Sequence, residues 1–117
     1  MNRKWIGFTA LVGLLAISLC AFGITGGVKT VTAAGTAEAL STSKILFHDL
    51  FIVASNANTG YIYVGGSNVD KTTKNGFELA AGKIYVIADG MLNEVYIDST
   101  VNGEGVSYTY QLVANYD

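Results

Sequence analysis

A chain of 117 residues has room for one domain with one core. Its net charge is −2, or about −4 once Arg3 and Lys4 are set aside, and the lysines beyond them are scattered. Phosphate-backbone binding needs clustered cations, so nucleic acid is not an expected partner. A single cysteine, Cys20, excludes an intrachain disulfide and a cysteine-built zinc site, and nothing in the sequence asks for a cofactor.

Residues 1–23 read as a hydrophobic anchor or signal segment. After Met1-Asn2-Arg3-Lys4, the run Trp5 to Phe22 carries no charge. As a helix its eighteen residues would span about 27 Å, which matches a bilayer core. Arg3 and Lys4 would stay on the cytoplasmic side, with Trp5 at the interface and the remainder outside. Two readings stay open: a retained membrane helix over residues 5–22, or a signal peptide cut near Ala21-Phe22-Gly23 or Val31-Thr32-Ala33. Leu19 before Cys20 speaks against a lipoprotein, and Gly7 and Gly13 form no GxxxG pair.

Beyond this run the pattern changes to period two. Gly23 to Gly27 reads as a flexible joint, and residues 24–34 as a linker with a first strand around Val28 to Thr32. Residues 35–117 read as the folded domain. Lys44 to Ala54 is the strongest strand, with Ile45, Phe47, Asp49, Phe51 and Val53 on one face and Leu46, His48, Leu50 and Ile52 on the other. Further strands are expected at Tyr61–Val64, Phe77–Leu79, Lys83–Ala88, Glu94–Asp98 and Val106–Val113. Turns are expected at Asn75-Gly76, Ala81-Gly82, Asp89-Gly90 and Asn102-Gly103. In the last strand Val106, Tyr108, Tyr110 and Leu112 share a face. This spacing predicts an all-β fold, a small antiparallel β-sandwich or barrel preceded by one N-terminal hydrophobic helix.

Three segments, in this order and spacing, resemble a family of small β-rich proteins encoded among the structural genes of tailed phages. They are NTGYIYVGGSNV (Asn58 to Val69), NGFELAAGK (Asn75 to Lys83) and LNEVYIDSTVNGEGVSYTY (Leu92 to Tyr110), after an opening GTA at Gly35 to Ala37. The resemblance covers about Gly35 to Val113 and implies a compact β domain on a virion, without catalysis. Such phage proteins do not usually carry an N-terminal apolar run, so a cell-surface version stays open.

Chemistry-bearing residues are few. His48 is the only histidine, and its neighbour Asp49 should point to the opposite face, which argues against a dyad of the two. Asp98, Asn102 and Glu104 carry oxygens at a spacing that could hold calcium, but they fit turn formation better. Asp49, Asp89 and Asp98 could pair for glycosidic chemistry only if the fold united them. Tyr61, Tyr63, Tyr85, Tyr96, Tyr108 and Tyr110 could line a strip for sugar or protein contact, with Tyr61, Tyr63, Tyr108 and Tyr110 the binding candidates and the 65–76 loop beside them. Packing inside the fold is the competing role.

The expected function is that of a non-enzymatic structural or surface-decoration protein, of a phage particle or a cell envelope, acting by self-assembly. The alternative is a membrane-anchored module that binds a carbohydrate or receptor. The expected partners are further copies or other structural proteins, and the membrane through residues 5–22. Val106–Val113, with no lysine, arginine or proline, is the expected contact edge.

Overall fold

The computed structural model describes residues 23–115, and side-chain surroundings through residue 113. The expected hydrophobic helix lies outside the described residues. Within them there is no α-helix, and no helix is long and apolar enough to cross a membrane.

Among the described residues nine strands form two antiparallel sheets. They are β1 (Ile24–Thr30), β2 (Glu38–Ala39), β3 (Ile45–Ala54), β4 (Ile62–Gly65), β5 (Phe77–Leu79), β6 (Ile84–Ile87), β7 (Gly90–Met91), β8 (Tyr96–Ser99) and β9 (Gly105–Asn115). The larger sheet runs β1-β9-β3-β6, with β7 also on β3, and the smaller runs β2-β8-β4-β5. Their inner faces share one apolar core, a sandwich-like arrangement. Phe47, Leu50, Ile52 and Val106 come from the larger sheet, and Ile62, Val64, Leu79 and Ile97 from the smaller.

Strand existence follows the alternation, but three expectations change. The first concerns Gly23 to Gly27, which is not a joint. Residues Ile24 to Thr30 pair with β9 along their whole length, and the Gly23 carbonyl accepts the Leu112 N–H at 2.8 Å. The glycines are there for close approach: a Cβ on Gly27 would lie 2.8 Å from the Tyr108 hydroxyl.

The second change is to the faces of β3. His48 opposes Gln111 and Phe51 opposes Thr109, so Asp49 and Leu50 together face the single residue Tyr110. This is a β-bulge, with Asp49 in the left-handed region at φ 44°. The extra residue switches the inward set from odd to even positions. Phe47, Leu50, Ile52 and Ala54 are buried, while Phe51, expected on the face of Phe47, is exposed.

Third, β9 is not an edge. It lies between β1 and β3, so Val106–Val113 cannot be the contact edge expected from its composition. Its inward set is the expected one, with Val106 and Tyr110 buried and Tyr108 and Leu112 packed against the core.

Candidate functional site

The two sheets treat their outer faces differently. On the smaller sheet Tyr63 and Asp98 are cross-strand partners on the outward side, yet both are buried. Two loops close over them. Asp98 Oδ1 accepts the N–H of Gly35 at 2.8 Å and of Ser99 at 2.8 Å, and Oδ2 accepts the N–H of Lys71 at 2.8 Å. The Tyr63 hydroxyl donates to Glu78 Oε2 on the neighbouring strand. That bond, together with burial, pushes the phenol up to about 12.

The loops are held by side-chain oxygens throughout. Four consecutive N–H groups of the 32–35 turn each meet one: Thr32 and Ala33 donate to Glu38 Oε2, Ala34 to Asn102 Oδ1, and Gly35 to Asp98. Glu104 accepts from the backbone N–H groups of Thr59 and Gly60 and from the Thr59 hydroxyl. Asp98, Asn102 and Glu104, weighed as calcium ligands, are thus engaged as acceptors for three separate backbone stretches. Among the described residues no group of three or more acidic, histidine or cysteine side chains converges to hold a metal ion.

Two of these anchors are acid-sensitive. The N–H groups of Thr59 and Gly60 hold the Glu104 carboxyl below its ordinary 4.5. Burial pushes Glu38 upward, but the bonds from Ala33, Lys29 and Thr32 outweigh it and leave that carboxyl below 4.5 as well. A depressed folded value means stability that is fully present above 4.5 and lost as pH falls through the folded value. Urea midpoints are therefore expected to be level above pH 4.5 on this account and to fall below it. Glu104→Gln should shallow that acid limb, and an unchanged limb would remove Glu104 as a contributor.

The four candidate tyrosines do not form one strip. Tyr61 is exposed, while Tyr63 is enclosed over the smaller sheet. Tyr108 and Tyr110 belong to the larger sheet and face inward, stacked 6.2 Å apart with ring planes 14° from parallel. Burial raises the Tyr110 phenol, and Tyr108 adds to the shift. Phe77 and Tyr85 stack at 4.1 Å, apart from those four. His48 Nδ1 meets Asp89 Oδ1, and the bulge leaves both His48 and Asp49 exposed instead of sending them to opposite faces. Both partners are exposed.

The outer face of the larger sheet is open and apolar, and no composition signal marked it. Cross-strand register gives two full rows: Val28–Ser107–Val53–Ile84 and Gly26–Thr109–Phe51–Val86, with Ile24 opposite Gln111 in the next. Ile24 is 79% exposed, Val28 76%, Ile84 61%, and Phe51 and Val86 46% each. They stand in two groups, Ile24 and Val28 on one side and Phe51, Ile84 and Val86 on the other, with Ser107, Thr109 and Gln111 of β9 between them. The signal that could have exposed this face is the bulge, which turns Phe51 outward.

Comparison with protein-family models, with curated proteins and with solved structures gives no match.

Proposed function

We propose that this chain is a non-enzymatic structural subunit, a small β-sandwich that works by packing against copies of itself or neighbouring structural proteins at the surface of a phage particle or a cell envelope. The observation that carries this reading is the asymmetry of the two outer faces. Loops cover the smaller sheet's outer face, while among the described residues nothing covers the larger sheet's, which carries Ile24, Val28, Phe51, Ile84 and Val86. Apolar surface costs free energy in water, roughly 25 cal/mol per Å², and covering it favours association. Strand β1 adds to the case. Among the described residues it is an edge, seven residues long with no proline, and its one charge, Lys29, is tied inward to Glu38 at 3.1 Å. Edges without charge or proline tend to accept a further strand or partner. The motif resemblance to phage structural proteins points the same way.

Sedimentation of the full chain, with electron microscopy of native particles or envelopes, tests the reading. Wild type should form ordered assemblies. Phe51→Glu, at a half-exposed site, should keep the fold and weaken association more than about tenfold, because the charge would be desolvated opposite an apolar partner. A wild-type chain that stays monomeric at high concentration and dispersed in native samples would overturn the proposal.

A further inference from the structure

Strand β1 turns one side of its backbone to β9 and the other side outward. The register with β9 runs from Ile24 opposite Gln111 to Thr30 opposite Gly105. At its two ends the Gly23 carbonyl accepts the Leu112 N–H at 2.8 Å, and the Val31 N–H donates to the Glu104 carbonyl at 2.9 Å. In an antiparallel pair, residues whose backbone groups point into the ladder alternate with residues whose groups point away from it. Gly23 and Val31 point in, so Thr25, Gly27 and Lys29 point in as well. The N–H and C=O groups of Ile24, Gly26, Val28 and Thr30 therefore point away from β9. Among the described residues no further strand takes them up.

These outward groups complement a second set of themselves. A second β1, laid antiparallel about a two-fold axis, puts its Thr30 opposite Ile24 and its Val28 opposite Gly26. Every outward donor and acceptor of both strands then has a partner. Head-to-tail pairing of β1 with β6 of another copy leaves some of them unmet. Strand β6 is four residues long. Its ladder with β3 includes the Ala54 N–H to the Lys83 carbonyl, so only Ile84 and Val86 point outward there. Charge also permits self-pairing. A strand laid on its own copy meets its own charges, and a lysine is a common guard of an open edge. The one charge of β1, Lys29, is held by Glu38 at 3.1 Å. In the two-fold register it lies opposite Thr25, away from Lys29 of the second copy.

The side chains agree with that register. The axis falls at Gly27, which faces Gly27 of the second copy in a pair without mutual hydrogen bonds, the closer kind, with Cα atoms about 4.5 Å apart. Two glycines have no side chains to collide there. On the outer side Val28, 76% exposed, lies opposite a glycine and diagonally beside Val28 of the second copy. The Ile24 and Val28 group, cut off from Phe51 by the polar row of β9, thus gains apolar neighbours that it lacks within one copy. Resting on the assembly reading above, we propose that β1 pairs antiparallel with β1 of a second copy about a two-fold axis at Gly27, which joins the two larger sheets into one continuous sheet. Such a contact closes on itself, and it leaves Phe51, Ile84 and Val86 free for the further contacts of an assembly. One strand pair is a small interface, so it forms between copies that the assembly already concentrates.

The test uses the full chain with Cys20→Ser and Val28→Cys, carrying one nitroxide label at position 28, under conditions where sedimentation shows assembly. The two-fold register places the labelled Cβ atoms of two copies about 7–8 Å apart, close enough for dipolar broadening of the electron-spin spectrum. Adding Thr30→Pro removes an outward N–H from each copy and leaves the bonds to β9 in place. It should weaken pairing more than about tenfold and remove the broadening, with little change in the thermal midpoint. Thr25→Pro, which takes an N–H out of the β9 ladder, should instead lower the midpoint. An equal fall with both prolines would mean that the two sides of β1 are the other way round, and would overturn the proposal. Broadening that survives Thr30→Pro would show contact through side chains alone and overturn it as well. Assembly without broadening, the outcome if residues before Gly23 lie along β1 instead, would overturn the pairing and leave the assembly reading in place. A chain that never assembles would overturn both.

Discussion

Phe47→Ala is expected to destabilise the folded domain by about 3–5 kcal/mol, whereas Phe51→Ala, four residues away on the same strand, should cost less than about 1 kcal/mol. Phe47 is 1% exposed, sits in the shared core, and meets the Tyr110 ring with centroids 6.3 Å apart. Its truncation leaves a cavity between two sheets held in register by their ladders, so little relaxation can fill it. Phe51 is 46% exposed on the outer face, and removing it takes away surface that water already reaches. Urea unfolding of both variants, compared at a common slope, reads the difference. Equal losses would mean that the bulge at Asp49 does not set the faces of β3, and the outer face of the larger sheet would lose Phe51 with it.

That pair of residues also shows where sequence reading stops. Strand positions were legible because alternation and turn glycines are local signals: Gly82 and Gly103 do take positive φ in the expected turns. The inward set of β9 was legible too, since its alternation is uninterrupted from Val106 to Leu112. On β3 the same rule placed Phe51 inward, because a bulge adds one residue without any break in hydrophobicity. Its trace in the sequence is Asp49, a poor strand former but one of the residues that tolerate the left-handed region. The Asn75-Gly76 turn behaved in a related way. The positive φ values fall on Lys74 and Gly76, while Asn75 bridges to Asp70.

Strand order is less accessible still. An uncharged, proline-free strand is compatible with an open edge or with the centre of a sheet, and β9 proves central because β1 pairs along its other side. Read as a glycine joint, Gly23 to Gly27 gave no reason to expect that pairing. The requirement for glycine there is set by β9, through the Tyr108 hydroxyl over Gly27 and the Tyr108 carbonyl against Gly26. The candidate site suffered most from this. The tyrosines alternate as a strip would need, but alternation cannot say which face is covered, and two of the four candidates turn into the core.

Asp98→Ala is expected to cost about 2–4 kcal/mol and to loosen two loops at once. Asp98 is fully buried, and among the described residues its carboxyl enters no ion pair. Its oxygens instead accept three backbone N–H groups, and two of these belong to loops far apart in sequence, at Gly35 and Lys71. Deleting the carboxyl strands those donors. Each buried unpaired donor costs about 1–3 kcal/mol, though the loops can swing toward water and recover part of it. Asp98→Asn isolates the hydrogen-bond share, because it keeps the volume and one acceptor but turns an N–H donor against either Gly35 or Lys71. It should lose less than the alanine variant, about 1–3 kcal/mol. The loops supply the second readout. Released from Asp98, the 66–76 loop should be cut faster by trypsin after Lys71 and Lys74, while the core strands β3 and β4 keep their amide-exchange protection. The occurrence of an aspartate inside the strand YIDS is the sequence trace of this anchor, since strands are poor in aspartate unless something binds it. A variant that unfolds with wild-type stability and shows unchanged cleavage would mean that the covered outer face of the smaller sheet does not depend on Asp98.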